Sequence, residues 1–345
     1  MNDTRRAVLA ALADGPVTGP ALADRLGISR NAVWKHVEAL RNAGFEVESG
    51  ADGYALAAVP EYGEAAVEFG LDAPFDVEYH DSVDSTNARA RELAVASAGD
   101  VAVLADEQTG GRGRLDREWS SPRGGVWCSL VLRPALPPAR VPLLTLAAAV
   151  AVADAAREAG VPAEIKWPND VLVSGPNEGS SDLRSDGVLV GDTGERGGRK
   201  LAGVLTEMEG EADSVSWVVV GIGVNANLDA EALPDGATSL RAERRARRSA
   251  RSESDGEHED DVDRRIFVQR LLERFDELRG DPDSILDAWR ERSATLGQRV
   301  RVETADGAVV GEAVDVVSPG ALVVETDDGE EVWVLAGDCE HLRPA

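Results

Sequence analysis

The sharpest local signal for chemistry is Gly110-Gly-Arg-Gly-Arg114, followed by Arg117-Glu-Trp119. Glycines let a backbone approach a ligand closely and reach positive φ. Interleaved arginines supply forked donors for carboxylate or phosphate. Taken alone, the loop reads more readily as a flexible basic turn, and no Gly-Lys-Ser/Thr follows to make a Walker A loop. A second signal is Lys166-Trp-Pro-Asn-Asp170, which leaves a strand and halts at Pro168, bringing an ammonium, an amide and a carboxylate to one sheet edge. A third is Lys200-Leu-Ala-Gly203, opening a strand that ends at Glu207. The chain has only three lysines, Lys35, Lys166 and Lys200, so two of the three stand in these segments. A compact, flexible ammonium can follow a phosphate through a reaction as a planar guanidinium cannot. Ser85-Thr86-Asn87 follows a strand over 75–80 and opens a helix; by itself it reads as an N-cap. Gly221-Ile-Gly-Val-Asn225 is no dinucleotide fingerprint, because no helix pattern follows; it reads as a strand end that approaches something closely. The four histidines lack metal-ligand spacing and neither cysteine has a motif around it.

The elements that must position these residues fall into three parts. Residues 1–60 read as a winged helix-turn-helix. Val8, Leu9 and Leu12 mark a first helix that stops at Asp14-Gly15; Thr18 caps a second, which Gly27 ends; Ser29 caps a third whose stripe is Val33, Val37 and Leu40. Gly44 stops the third, and two short alternating runs around Asp52-Gly53 read as a hairpin. The third helix presents Arg30, Asn31, Trp34, Lys35 and Arg41, a set suited to a major groove with flanking phosphates. An interaction or dimerisation module would show the same fold with an ordinary solvated face. Residues 75–295 read as an α+β domain around a mixed sheet, with strands near 101–104, 126–132, 164–173, 201–207 and 217–224. Helices are expected at 143–159, along Phe267, Leu271, Phe275 and Leu278, and around Trp289. Two stretches, 174–199 and 241–263, read as long solvated insertions. Residues 296–345 alternate with Asp-Gly turns and read as a small β-barrel.

Composition narrows the class of protein. At 345 residues the chain is long enough for two or three cores. It carries 63 Asp+Glu against 36 Lys+Arg, a net charge of −27, which argues against a general nucleic-acid coat or a polybasic membrane binder. Residues 1–58, with six Lys+Arg against seven Asp+Glu, are close to neutral, so DNA contact there is still open. Abundant carboxylates with so few lysines read as halophilic adaptation to molar salt, where self-repulsion is screened. Two cysteines exclude a disulfide framework. The first 14 residues carry no signal-peptide core, and the most apolar stretch, 143–153, is too short to span a bilayer. The expectation is a soluble, cytoplasmic protein.

In combination and in this order, these features resemble the bifunctional biotin–protein ligase and biotin operon repressor (BirA-like) family. The resemblance rests on the winged helix, Asp84-Ser-Thr-Asn87, Gln108-Thr-Gly-Gly-Arg-Gly-Arg114 with Glu118-Trp119 and Ser121-Pro122, Lys166-Trp-Pro-Asn-Asp170, Lys200-Leu-Ala-Gly203, Gly221-Ile-Gly-Val-Asn225 and the C-terminal strands. The two insertions depart from it. It implies a class II synthetase-like central domain and an SH3-like C-terminal barrel. It also implies activation of biotin by ATP to biotinyl-5′-AMP, then transfer to a lysine of a carboxyl-carrier protein. On that reading Ser85, Thr86, Asn87, Gln108, Arg112, Gly113, Arg114 and Lys200 bind biotin, with Lys200, Arg112 and Arg114 catalytic. Lys166, Asn169, Asp170, Asn225 and Trp119 lie on the nucleotide side, Asp170 nearest Mg²⁺. Arg30, Asn31, Trp34 and Lys35 read operator DNA as part of a homodimer formed with adenylate bound. Alternatives are a ligase whose winged helix does not bind DNA, a regulator that binds biotin without transferring it, and a lipoate–protein ligase.

Overall fold

Local capping chemistry sets the N-terminal helices. The computed structural model describes residues 3–114, 117–175, 198–211, 213–250 and 260–342. Its contacts divide it into two units, residues 1–72 with 263–269, and residues 73–262 with 270–345. In the first, α1 (Asp3–Ala13), α2 (Gly19–Leu26) and α3 (Arg30–Asn42) are followed by the hairpin β1 (Glu46–Gly50) and β2 (Gly53–Ala58) and the short α4 (Glu64–Glu68). Thr18 accepts from the Ala21 amide and Ser29 from the Ala32 amide, each supplying a partner to an otherwise orphan helix donor. Gly27 closes α2 in the left-handed region at φ 64°. Val8, Leu9, Leu12, Leu22, Val33, Val37 and Leu40 form one buried cluster, as the periodicity predicts. Arg30, Asn31, Trp34 and Lys35 are exposed on α3. Arg41 is engaged within the unit: it donates to the Val47 carbonyl, Ser49 Oγ and Glu38, tying helix to hairpin.

The second unit is built on a seven-stranded sheet. Its strands are β3 (Asp76–His80), β4 (Val101–Ala105), β5 (Val126–Leu132), β6 (Ala163–Lys166), β7 (Asp170–Val173), β8 (Arg199–Gly210) and β9 (Val215–Val224), in the order β3-β4-β5-β9-β8-β7-β6. Among the described strands of this sheet, only β3 and β4 pair in parallel. The interleaved helices are α5 (Thr86–Val95) and α6 (Pro142–Glu158). The stretch expected as strand over 164–173 is a β6–β7 hairpin that turns at Trp167–Asn169, with Lys166 opposite Asp170. With its 3₁₀ lead-in, α6 runs 21 residues from Pro138 to Glu158, long and apolar enough to cross a membrane and longer than the sequence stretch suggested. Twelve of its residues are buried against the sheet and a later helix, which is why it is apolar on most sides.

Beyond the sheet come α7 (Leu240–Ala250), α8 (Arg264–Gly280) and α9 (Pro282–Arg290). The stretch expected as a solvated insertion, 241–263, begins as a helix, and Asp260 and Val262 are buried. Ion pairs of Arg241 with Asp261 and Arg248 with Asp260 hold the ends of this stretch together. Most of the other expected insertion, 176–197, lies outside the described residues. The C-terminal strands β10 (Arg299–Thr304), β11 (Gly307–Val317), β12 (Ala321–Thr326), β13 (Glu331–Val334) and β14 (Asp338–His341) form an antiparallel sheet ordered β13-β12-β11-β10-β14. This sheet groups with the central one in a single unit.

Candidate active site

A cavity of about 320 Å³ opens on the central sheet. Its floor is made by glycines. A Cβ on Gly221 would stand 2.1 Å from Asn87 Oδ1, and one on Gly223, two residues on and facing the same side of β9, would stand 2.7 Å from Trp119 Nε1. Gly203, opposite Gly223 in register, lies under the same indole and against Lys200 Cε. The close approach read from Gly221-Ile-Gly-Val-Asn225 is thus to Asn87 and Trp119.

Over Gly221 lies a network of amide and hydroxyl groups, anchored at one end on Glu207. Ser85 caps α5 through the Ala88 amide, as its spacing indicates, and also lines the cavity. Thr86 donates from its amide and hydroxyl to Gln108 Oε1, at 2.8 and 2.9 Å. Gln108 Nε2 donates to Ser121 Oγ, which fixes the amide orientation. Ser129 Oγ stands 2.8 Å from Thr86 Oγ1 and 2.6 Å from Asn87 Oδ1, and Asn87 Nδ2 donates to Glu207. Because Asn87 Oδ1 can only accept, the Ser129 proton belongs to it. Each of these groups thereby has a partner, and the side chains that line this half of the cavity, Ser85, Thr86, Asn87 and Gln108, carry no charge.

Over Gly223 and Gly203 lie the charges. Lys200 Nζ is 2.5 Å from Asp170 Oδ1 and 5.2 Å from the Trp119 ring centroid. Arg114 donates to Asn169 Oδ1 and to the Gly337 carbonyl, and Arg117 pairs with Asp338. Asn169 Nδ2 is committed to the Val204 carbonyl. Four cations on the wall (Arg112, Arg114, Arg117, Lys200) face four carboxylates (Glu118, Asp170, Asp235, Asp338). The site is locally balanced in a chain of net charge −27. Two glycines of the loop have steric reasons: a Cβ on Gly110 would meet Asp84, and one on Gly111 would meet the Trp119 carbonyl and Ser121 Oγ. The loop therefore folds back on its own continuation, with the Trp119 amide donating to the Gly111 carbonyl and the Gly113 amide to Arg117.

The cavity brings together Ser85, Thr86, Asn87, Gln108, Arg112, Gly113, Arg114, Trp119, Asn169, Asp170, Lys200 and Asn225. Lys166 is set apart: it is 5% exposed and absent from the wall, close to His341 and Cys339 of the C-terminal sheet. Burial, with the Lys166 charge nearby, lowers the His341 imidazole to about 4. Burial pushes the Cys128 and Cys339 thiols up to about 12, so neither is a nucleophile. Asn225, 4% exposed, spends its amide on the Thr238 carbonyl. Sequence reasoning missed Ser129, Glu207 and Asp338. Ser129 had a legible signal, being the one hydroxyl in the otherwise apolar strand Val126–Leu132.

Three family models match the chain: an HTH domain over residues 4–55, the biotin/lipoate A/B protein ligase family over 79–225, and the biotin protein ligase C-terminal domain over 295–342. The bifunctional ligase/repressor BirA of Bacillus subtilis (strain 168) is 37% identical over 91% of this chain and 90% of its own length. The biotin–[acetyl-CoA-carboxylase] ligase of Paracoccus denitrificans is 35% identical over 72% of this chain and 94% of its own. A biotin protein ligase from Aquifex aeolicus, solved with biotin and ATP, superposes with a TM-score of 0.56 at 25% identity, covering 77% of this chain and 99% of that one. The chain is an α+β protein with an N-terminal helix-turn-helix domain, a ligase-type central domain and a strand-rich C-terminal domain. It belongs to the biotin protein ligase family, in the bifunctional ligase/repressor branch.

Proposed function

We infer that this chain is an ATP-dependent biotin–protein ligase that also acts as a biotin-responsive repressor. One observation carries the reading: along a single strand floor, amide and hydroxyl groups lie over Gly221 and a cation–carboxylate cluster lies over Gly223. Biotin joins an uncharged ureido ring to a carboxylate, so its two ends suit the two halves. The Thr86, Gln108 and Asn87 network holds the ring, with Ser85 beside it. Bringing a carboxylate to an α-phosphate places like charges together, and preorganised cations lower that barrier. Lys200, Arg112 and Arg114 supply them, and Gly113 lets the loop backbone approach. The carboxylate oxygen attacks the α-phosphorus, the bond to pyrophosphate breaks, and biotinyl-5′-AMP forms. An acceptor lysine then attacks the acyl carbon and AMP leaves.

Trp119, Asn169, Asp170 and Asn225 form the nucleotide side. Lys166 acts from behind the wall, through its charge, on the turn that carries Asn169 and Asp170. Among the described residues no group of three or more metal-binding side chains occurs. A lone Asp170 carboxylate nonetheless suits Mg²⁺, which takes its other ligands from phosphates and water. It would hold the ion there to neutralise phosphate charge. Operator DNA meets Arg30, Asn31, Trp34 and Lys35 of α3, in a homodimer favoured by bound adenylate. The acceptor is a carboxyl-carrier protein, and the compartment is the cytoplasm, in keeping with two free, buried cysteines. Purified chain, incubated with ATP, biotin and a recombinant carrier domain in molar KCl, is expected to raise the carrier mass by one biotinyl group on a single lysine. An unmodified carrier, with biotin bound tightly, would point instead to a regulator without transferase activity.

A further inference from the structure

Helix α7 is rich in arginine, yet the charged residue it buries is an acid: Glu243 is 4% exposed. One oxygen of Glu243, Oε1, accepts three hydrogen bonds. Arg199 gives two, from Nε at 3.0 Å and from a terminal nitrogen at 2.7 Å, and Thr238 Oγ1 gives the third at 2.7 Å. Both donors flank the same residue. Arg199 directly precedes Lys200, and the Thr238 amide donates to the Lys200 carbonyl at 2.9 Å. The Lys200 amide in turn donates to the Gly236 carbonyl at 2.8 Å. The peptide groups on both sides of the Lys200 Cα are thus fixed, and the side chain and loop that fix them converge on one carboxylate.

We propose that Glu243 is a positioning residue for adenylation, holding Lys200 through Arg199 and Thr238 so that its ammonium stays at the junction of Asp170 and Trp119. This rests on the ligase reading above. A buried carboxylate is costly to desolvate, and an apolar residue would fill the same space as well. Its charge is useful where several donors must be held in a fixed direction. Displacing a reacting group by about 1 Å can cost on the order of a hundredfold in rate, so the anchor of a long, flexible lysine matters to chemistry.

The chain's three lysines give a readout that needs no turnover. Brief acetylation at fixed pH, followed by peptide mass spectrometry, reports Lys200 against exposed Lys35, with buried Lys166 as a check on local unfolding. In Glu243→Ala, Lys200 labelling relative to Lys35 is expected to rise several-fold while Lys166 stays protected. The same variant is expected to lose about tenfold or more in kcat for adenylate formation, with KM for biotin within about twofold. Arg199→Gln removes two of the three donors from a partly exposed position and is expected to show the same pattern at smaller amplitude. Wild-type labelling and kcat in both variants would overturn the proposal. So would a joint rise of Lys166 and Lys200 labelling with a lowered thermal transition, the sign of a purely structural role. Failure of the wild type to form adenylate would sink the ligase reading, whereas the labelling ratio would still decide the part assigned to Glu243.

Discussion

Lys200 Nζ lies 2.5 Å from Asp170 Oδ1, joining the start of β8 to the start of β7 at the mouth of one cavity. The two residues stand far apart in sequence, and the antiparallel pairing of those strands brings Asp170 opposite Gly203. An ammonium held by one carboxylate is oriented by it and keeps two further N–H donors for a ligand. Asp170→Asn keeps the shape and removes the charge. Steady-state adenylation is expected to show kcat lowered about 10- to 100-fold and a raised KM for ATP, with biotin affinity largely kept. Unchanged kcat would remove Asp170 from the site's charge balance.

Gly221 is the steric condition for the amide and hydroxyl half of the cavity. The added methyl of Gly221→Ala would stand 2.1 Å from Asn87 Oδ1, so Asn87 must leave Ser129 and Glu207. Orphaning such buried groups costs about 1–3 kcal/mol. Calorimetric titration is expected to show biotin affinity weakened by about that much, with ATP affinity nearly untouched. Equal losses for both ligands would mean that the two halves are not separable.

His341 gives a pH-dependent contribution to stability. Its folded-state value, lowered from 6.5 to about 4 by burial and then by Lys166, lies below that of the unfolded chain. The unfolded state therefore binds the proton first as pH falls. The stability is present in full above 6.5 and is lost between 6.5 and 4, up to about 3 kcal/mol. His341→Gln can still meet Thr295 but does not titrate. Denaturant unfolding of this variant is expected to fall less steeply with acid over that range; a slope equal to wild type would contradict the assignment.

The winged helix makes a separable prediction. Arg30→Ala with Lys35→Ala alters two exposed residues of α3 and nothing in the cavity. Fluorescence anisotropy on the chain's own upstream DNA, with biotin and ATP present, is expected to show binding weakened and the salt dependence reduced by about one unit per phosphate contact removed. Biotin transfer is expected to stay at the wild-type rate. Equal DNA affinity in the variant would favour a winged helix kept for other contacts.

Much of this was legible in sequence where the cause is local. Thr18, Ser29 and Ser85 cap helices because a short side-chain oxygen reaches an amide three residues on, and Gly27 ends one because its φ is positive. The residues that line the cavity were legible only from the motifs in combination, since alone Gly110–Arg114 reads as a basic turn and Ser85-Thr86-Asn87 as an N-cap. What was not legible depends on partners distant in sequence. Arg41 looks like an exposed cation until the hairpin supplies Val47 and Ser49 as acceptors. Lys166 shares a motif with Asp170, yet the β6–β7 turn sends it behind the wall toward His341. The 241–250 run reads as a solvated charge stretch because nothing local reveals that Glu243 will meet Arg199.

The charges gathered around Lys200 are proposed to activate a biotin carboxylate. The decisive experiment is biotin-dependent exchange of labelled pyrophosphate into ATP, in molar KCl with lipoate as control. Exchange is expected with biotin alone, and is expected to fall by at least about a hundredfold in a folded Lys200→Ala variant that still binds biotin. Exchange driven by lipoate, or full exchange in that variant, would contradict that proposal.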